Sequence, residues 1–153
     1  IPERIFDWNN LFYACSHCNK IKKESKYDDK IIDCCKEDPE KMLEQCYEEG
    51  LVNVHNIVDE ERAIMTADLI QECFEKRNTG IREAACQHRI ERLADEMNVL
   101  YKILEKHKKN PELLRYKRSL RATLSRNSIF AAFKRNYVRK HISDYPDLEE
   151  FLV

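Results

Sequence analysis

The chain has 153 residues, of which 42% are hydrophobic and 36% are charged, with a formal net charge of −1 at pH 7. Only two glycines and four prolines are present, which argues against a many-stranded sandwich or barrel and predicts a mainly α-helical fold. No apolar run approaches the roughly 20 residues that span a bilayer, and no signal peptide opens the chain, so we expect a soluble protein.

The N-terminal part of the chain predicts a series of short elements. In residues 1–25, "RIFDWNNLFYA" predicts a short strand or turn, and "SHCNKIKKES" predicts a short basic helix with Ser16 as a candidate cap. Residues 26–40 predict a connection and a short apolar strand. In residues 41–57 two β-compatible runs flank Glu-Glu-Gly, which predicts a hairpin. A helix over residues 41–48 is the competing prediction.

From residue 59 the pattern is helical. Thr66 is a candidate N-cap for the helix "TADLIQECFEKRN". The next helix is predicted from about Gly80 to Lys109. One apolar stripe runs along it, formed by Ile81, Ala85, His88, Leu93, Met97, Leu100 and Leu104.

The last third of the chain predicts shorter helices. Pro111 fits the first turn of a helix that ends near Asn127. The segment "SIFAAFKRNYVRKHI" predicts a further helix, and Pro146 opens a last short turn. The predicted architecture is therefore a small N-terminal ββα-like unit followed by a helical bundle.

Charge is unevenly placed along the chain. Residues 102–140, which we call the basic block, hold 13 basic and 2 acidic side chains. Residues 1–101 hold 14 basic and 22 acidic side chains, and residues 141–153 hold 4 acidic and no basic ones. Such a block predicts a surface for a polyanion or an acidic partner, and lysines that are simply solvated on helices are the alternative.

Seven cysteines indicate a reducing compartment rather than a disulfide framework. A secreted disulfide domain is usually shorter and poorer in helix formers. Cys73 and Cys86 lie inside helical patterns, where cysteine behaves as a small buried hydrophobe. We therefore expect a cytoplasmic protein.

The pair Cys15-x-x-Cys18 in "NNLFYACSHCNKIKK" has the spacing of half a zinc site, because two thiolates so placed can hold two corners of a tetrahedral ion. The other ligands must come from elsewhere. Cys34 and Cys35 are adjacent, so at most one of them is expected to reach the same metal, and Cys35 is the further candidate. Buried cysteines without zinc are the alternative.

The residues around this pair resemble the closing half of the HNH endonuclease motif, which is Asn-Leu, three residues, Cys-x-x-Cys, His or Asn, two residues, Lys. The matching positions are Asn10, Leu11, Cys15, Cys18, Asn19 and Lys22. Asn stands at the last motif position in place of His, which makes this an HNN variant. The resemblance implies a ββα-metal fold, with residues 1–40 as its C-terminal half and residues 41–153 as a hairpin plus a helical, partner-docking and basic region.

The resemblance also implies the site's chemistry. In this family a histidine on the first strand of the ββα-metal fold activates a water molecule. Asn10 would orient that histidine. Asn19 would ligate Mg²⁺ or Mn²⁺, which polarises the scissile phosphate. Lys20, Lys22 and Lys23 would face the nucleic-acid backbone.

The family's first histidine usually stands in a string like Asp/Glu-His-x-Ile-Pro, and this chain begins with Ile1-Pro2. We therefore expect the catalytic histidine, together with another Cys-x-x-Cys pair, upstream of residue 1. The histidines present do not replace it. We expect His88 in the core, and His55, His107 and His141 to be structural or exposed.

Segments downstream of the motif resemble the PtuB-type nucleases of Septu anti-phage systems, including those attached to retrons. Such nucleases work with a PtuA-type ATPase, and in retron versions with a reverse transcriptase and its multicopy single-stranded DNA. The leading hypothesis is thus a metal-dependent nuclease of DNA or RNA. A non-catalytic zinc-stapled binding module and a helical scaffold with inert cysteines are the alternatives.

Overall fold

The computed structural model of the protein describes residues 16–22, 27, 30–75 and 80–152. Its helices are α1 (Ser16–Lys22), α2 (Glu61–Phe74), α3 (Gly80–Lys109), α4 (Leu114–Thr123) and α5 (Ala131–Lys140). Its strands are β1 (Leu43–Glu48) and β2 (Leu51–Asn56), and 3-10 turns span Pro39–Lys41, Ile142–Asp144 and Pro146–Phe151. The fold is mainly helical, as predicted. Residues 1–15 lie outside the described ranges, so the ββα-metal unit stays a prediction.

The predicted hairpin is present and the competing helix is not. Strands β1 and β2 pair antiparallel, with Leu43 opposite Asn56 and Glu48 opposite Leu51. The two residues between them, Glu49 and Gly50, have φ angles of 51° and 81°. A two-residue turn with both central residues in the left-handed region matches the twist of paired strands, and glycine adopts that region at little cost.

A short strand was predicted in residues 26–40, and this prediction is wrong for residues 30–40, which form turns instead. The backbone N–H groups of Lys36 and Glu37 both donate to the Asp33 carbonyl at 2.9 Å, which closes a turn. Asp38 Oδ1 then accepts from the Glu40 N–H at 3.1 Å and caps the 3-10 turn. Aspartates favour such local hydrogen bonds over a ladder between strands. Ile32 anchors this segment, because its side chain is buried.

Helix α2 begins five residues before the predicted cap. Thr66 lies inside the helix, where its hydroxyl donates to the Arg62 carbonyl at 2.6 Å and accepts from the Ile32 N–H at 2.8 Å. Ala63 and Ala67 are both buried on the same face. Packing of this first turn against the core therefore extends the helix beyond what local capping signals predict.

Helix α3 has the predicted bounds, and Leu93, Met97, Leu100 and Leu104 are buried as expected. His88, however, is exposed, so its prediction as a core residue is wrong. It precedes Leu93 by five residues, which places it about 140° around the helix from that side chain. The buried histidine of α3 is His107, whose side chain is 2% exposed.

The prediction for α4 is wrong at both ends, because the helix runs from Leu114 to Thr123. Pro111 lies in the preceding turn, where the Leu113 N–H donates to the Asn110 carbonyl at 3.2 Å. Asparagine followed by proline is typical of the first two positions of such a turn. The helix predicted over 128–142 is present as α5, and Pro146 opens the predicted last turn.

One hydrophobic core joins the described parts of both predicted units. Ile21, Tyr27 and Ile32 from the first 40 residues belong to the same cluster as Leu93 and Leu148. The hairpin packs between α2 and α5, and α1 packs against α2. Among the described helices, none is long and apolar enough to cross a membrane.

Arg135 of α5 is fully buried, and its guanidinium joins three distant segments. It donates to Glu40 Oε2 at 2.9 Å, to the Leu124 carbonyl at 3.1 Å and to the Phe151 carbonyl at 3.0 Å. A further bond goes to the Leu152 carbonyl. A buried cation is tolerated only when its donors are satisfied in this way.

Replacement of Arg135 with methionine is expected to lower the free energy of unfolding by about 3–5 kcal/mol, because it leaves Glu40 and the carbonyls with fewer donors. Urea unfolding followed by circular dichroism measures the change. The matched control is Arg118→Met, an exposed position on α4, which should change the free energy by less than about 0.5 kcal/mol. Equal effects of the two variants would show that the hydrogen bonds of Arg135 do not contribute to stability as proposed.

Candidate functional site

Helix α1 contains the described part of the Cys-x-x-Cys segment. Some of its side chains face the core and others face solvent. Cys18 is half-buried and Ile21 is 2% exposed, whereas Asn19 and Lys20 are exposed. Residues three apart lie on one face of a helix, so the cysteine turns inward while its neighbours face solvent. Lys22 is half-buried. Asn10, Cys15 and Lys23 lie outside the described residues.

Arg89 of α3 binds the inward-facing cysteine. Its Nη2 donates to Cys18 Sγ at 3.4 Å, and its Nη1 donates to the Cys73 carbonyl at 2.6 Å. The guanidinium carbon also lies 5.8 Å from the centroid of the Phe74 ring. One arginine thus links α1 to the C-terminal end of α2. N–H donors beside a sulfur favour the thiolate, the form in which cysteine ligates a metal.

Arg89 was not predicted from the sequence, although its position carries a signal. It follows Cys86 by three residues and precedes Leu93 by four, so it lies beside the buried stripe of α3. An arginine at such a position needs buried acceptors. The α2 carbonyl and the cysteine sulfur are those acceptors.

Cys73 and Cys86 are buried, as predicted for cysteines inside helices. The Cys86 thiol donates to the Glu75 carbonyl at 2.9 Å and lies 3.6 Å from the Cys73 carbonyl. The last carbonyls of a helix have no partner within it. These contacts therefore complete the end of α2, which is a structural role.

Within residues 16–22, 27, 30–75 and 80–152, no three histidine, cysteine or acidic side chains lie close enough to hold a metal ion. Cys18 offers one thiol and Asn19 one amide oxygen. Cys35, the further zinc candidate, is exposed in the turn of residues 33–37. The zinc and magnesium sites thus stay predictions that require ligands such as Cys15.

About half of the basic block is neutralised by ion pairs that form between distant parts of the fold. Its paired members are Lys108, Lys117, Arg126, Lys134, Arg135, Arg139 and Lys140. Their carboxylate partners are Asp38, Glu40, Glu44, Glu48, Glu96, Asp144 and Asp147. In the part of the chain that the structure describes, the exposed members without an ion pair are Lys102, Lys106, Lys109, Arg115, Arg118 and Arg121. Only these remain as a candidate polyanion surface.

A groove of about 720 Å³ lies between the turn of residues 33–37 and the residues that lead into α5. Phe74, Phe130 and Phe133 supply its apolar lining, and the ring centroids of Phe74 and Phe133 are 5.5 Å apart. At its edge, Arg126 Nη1 lies 2.9 Å from Asp38 Oδ1. Sequence analysis did not predict this groove, because its walls are far apart in the chain.

The histidines whose side chains are described are structural or exposed. His55 Nε2 lies 2.7 Å from Glu44 Oε2, and His107 Nε2 lies 2.9 Å from Asp147 Oδ2. His141 Nδ1 lies 2.8 Å from a backbone carbonyl one turn earlier in α5. These contacts agree with the expectation that His55, His107 and His141 are structural or exposed.

Comparison of this chain with protein-family models, with curated proteins and with solved structures gave no match. The proposal of a function therefore depends on the motif, on the geometry of α1 and on the charges described above.

Protonation of Asp38 should lower the free energy of unfolding in acid. The hydrogen bond from Arg126 holds the pKa of Asp38 below its ordinary value. A carboxyl group whose pKa is lowered by folding adds stability above its unfolded pKa, and that contribution disappears as the pH falls through the folded pKa. The expected size is modest because Arg126 is half exposed.

Asp38→Asn tests this, because asparagine keeps the capping oxygen and removes the charge. The urea midpoint of the variant should lie below that of the unmodified chain at neutral pH, and the two should converge in acid. Asp68→Asn, at an exposed α2 position, is the matched control and should leave both midpoints unchanged. A loss in Asp38→Asn that is the same at both pH values would contradict the proposed role of the charge.

Proposed function

We propose that this chain is a metal-dependent endonuclease of the HNH type, in its HNN variant, which hydrolyses phosphodiester bonds of nucleic acid in the cytoplasm. The observation that carries the proposal is the division of α1. Cys18 faces the core beside Arg89, while Asn19 and Lys20 face solvent. The resemblance requires this division, because the cysteine must fix the loop while the asparagine and lysine meet cation and phosphate.

A structural zinc ion fits the surroundings of Cys18. Cys15 and Cys18 would hold it together with further ligands. The donors of Arg89 suit a ligated thiolate, since such outer hydrogen bonds orient metal ligands and are commonly costly to remove. A zinc site of this kind contributes directly to folding.

The catalytic cation would bind at Asn19. An amide oxygen on an exposed helix position is a hard ligand of the kind that Mg²⁺ and Mn²⁺ accept, and these ions keep several water molecules. When bound, the cation supplies Lewis-acid stabilisation of the charge that develops on the phosphate. Asn10 would orient the histidine that acts as the general base in nucleases of this type.

The substrate backbone would lie along the exposed side of α1. Lys20 is exposed there, Lys22 is half-buried, and Lys23 follows. The six basic-block residues without an ion pair would extend this surface or contact a partner. In keeping with the resemblance, the helical part of the chain would dock a PtuA-type ATPase, and in a retron also the reverse transcriptase and its DNA, for defence against phage.

Plasmid nicking by the purified protein, expressed from its natural open reading frame, tests the proposed activity. Nicking should require Mg²⁺ or Mn²⁺. Asn19→Ala and Asn10→Ala should each lower the rate by at least about 10–100-fold, the range seen when groups that support a metal are removed. Asn98→Ala, at another exposed helical asparagine, is the control. Equal nicking by all three variants would refute the assignment.

Binding of duplex DNA to a catalytically inactive Asn19→Ala protein tests the α1 surface. Lys20→Gln should weaken binding and should reduce the slope of log affinity against log salt by about 0.9, the value for one phosphate contact. Lys30→Gln is the control, because Lys30 Nζ already lies 2.6 Å from Glu61 Oε1. An unchanged slope in Lys20→Gln would exclude this lysine from the interface.

A further inference from the structure

Two adjacent cysteines stand exposed at the mouth of the groove described above. Cys34 and Cys35 lie in the turn of residues 33–37, and both line the groove. Asp33 fixes this turn, because its Oδ1 accepts from the Cys35 N–H at 3.1 Å. Its backbone carbonyl accepts from the two N–H groups that follow Cys35 at 2.9 Å. Both thiols therefore belong to an ordered turn that reagents in solution can reach.

The two thiols are carried by consecutive residues of this turn. Neighbouring Cα atoms across a trans peptide are about 3.8 Å apart, so rotation of the two side chains brings the sulfurs within reach of each other.

We propose that Cys34 and Cys35 form a vicinal dithiol that a hydroperoxide oxidises reversibly to an intramolecular disulfide. The thiolate of one cysteine attacks the peroxide, the O–O bond breaks, and a sulfenic acid and an alcohol or water are formed. The thiol of the other cysteine then displaces water from that sulfenic acid. In total, two thiols and one hydroperoxide give one disulfide, one alcohol or water and one further water, so both hydrogens and both electrons are accounted for.

The covalent geometry makes this bond labile. Neighbouring Cα atoms across a trans peptide are about 3.8 Å apart, whereas Cα atoms joined by an unstrained disulfide are about 4.4–6.8 Å apart. A strained and exposed disulfide has a more oxidising potential than a structural one. The oxidised form should therefore return to the dithiol when a low-molecular-weight thiol is added.

The three buried cysteines among the described residues are poor competitors for the oxidant. Cys46, Cys73 and Cys86 are each 7% exposed or less. Cys46 is further held by Lys140 Nζ at 3.1 Å and Asn136 Nδ2 at 3.3 Å. Exposure and thiolate character decide which cysteine oxidises first, and exposure favours the pair in the turn.

Oxidation would affect the ion pairs that follow the two cysteines in the chain. Glu37, two residues after Cys35, makes two bonds with Arg62, one from each terminal nitrogen. Asp38 pairs with Arg126 across the groove edge. A ring closed between Cys34 and Cys35 would change the turn that these pairs hold, and with it the mouth of the groove.

Mass spectrometry of the full chain tests the proposal, because trypsin releases both cysteines in the single peptide "IIDCCK", residues 31–36. Reduced protein is treated with an equimolar amount of hydrogen peroxide, alkylated and digested. We expect this peptide to lose two hydrogens and to escape alkylation, and to recover both alkylation sites after treatment with dithiothreitol. Peptides that contain Cys73 and Cys86 should stay reduced.

Phenylarsine oxide provides a second readout that needs no oxidation, since one arsenic binds two neighbouring thiols with release of water. The unmodified chain should bind it, and both Cys34→Ser and Cys35→Ser should lose that binding, whereas Cys46→Ser should keep it. A disulfide from residues 31–36 to another peptide, or full alkylation of both cysteines after peroxide, would overturn the proposal. Protection of Cys35 by added zinc would also overturn it, because that cysteine would then be a zinc ligand.

Discussion

The fold depends on a buried positive charge that no single segment can satisfy. Arg135 is 1% exposed and binds Glu40 and the carbonyls of Leu124, Phe151 and Leu152. Removal of a guanidinium from water costs several kcal/mol unless its donors are all used. Helix α5 can therefore pack only when the segment around residue 40, the end of α4 and the last turn of the chain are in place. This requirement fixes one wall of the groove and holds the hairpin against α5.

The same principle explains the charge distribution along the chain. The acidic N-terminal part and the basic block have opposite net charges, and folding brings them together in pairs such as Lys134 with Glu96 and Lys140 with Glu44. Lys134 is almost fully buried, so its pair belongs to the core. Much of what a sequence presents as a nucleic-acid-binding block is thus used within the fold. The charge that remains for a polyanion lies on α1 and on the outer faces of α3 and α4.

The cysteines of this chain differ in role because their surroundings differ. Cys86 donates to the end of α2 and is buried, which makes it structural. Cys18 has a guanidinium beside its sulfur, which suits a metal ligand in the proposed nuclease. Cys34 and Cys35 are exposed and adjacent in one turn, which suits reversible oxidation. The dithiol would operate whether or not the nuclease proposal holds, since it requires no metal.

Local sequence determined the elements whose signals lie within a few residues. The bounds of α3 follow from its 3.6-residue periodicity, and the hairpin follows from Glu49-Gly50 between two β-compatible runs. Part of the candidate site was also readable, since the Cys-x-x-Cys spacing indicated Cys18 and the resemblance to the HNH motif indicated Asn19, both on α1.

Tertiary structure alone decided what depends on contacts between distant residues. Thr66 lies inside α2, where its hydroxyl accepts a hydrogen bond from the Ile32 N–H, 34 positions away in the chain. Glu40 binds Arg135, which lies 95 positions away. Arg89 reaches Cys18 across 71 positions and was not predicted for that reason. Periodicity and capping act over one or two turns of chain. The partners of buried charges and thiols depend instead on which surfaces meet when the core forms. A pattern along the sequence carries no information about those contacts.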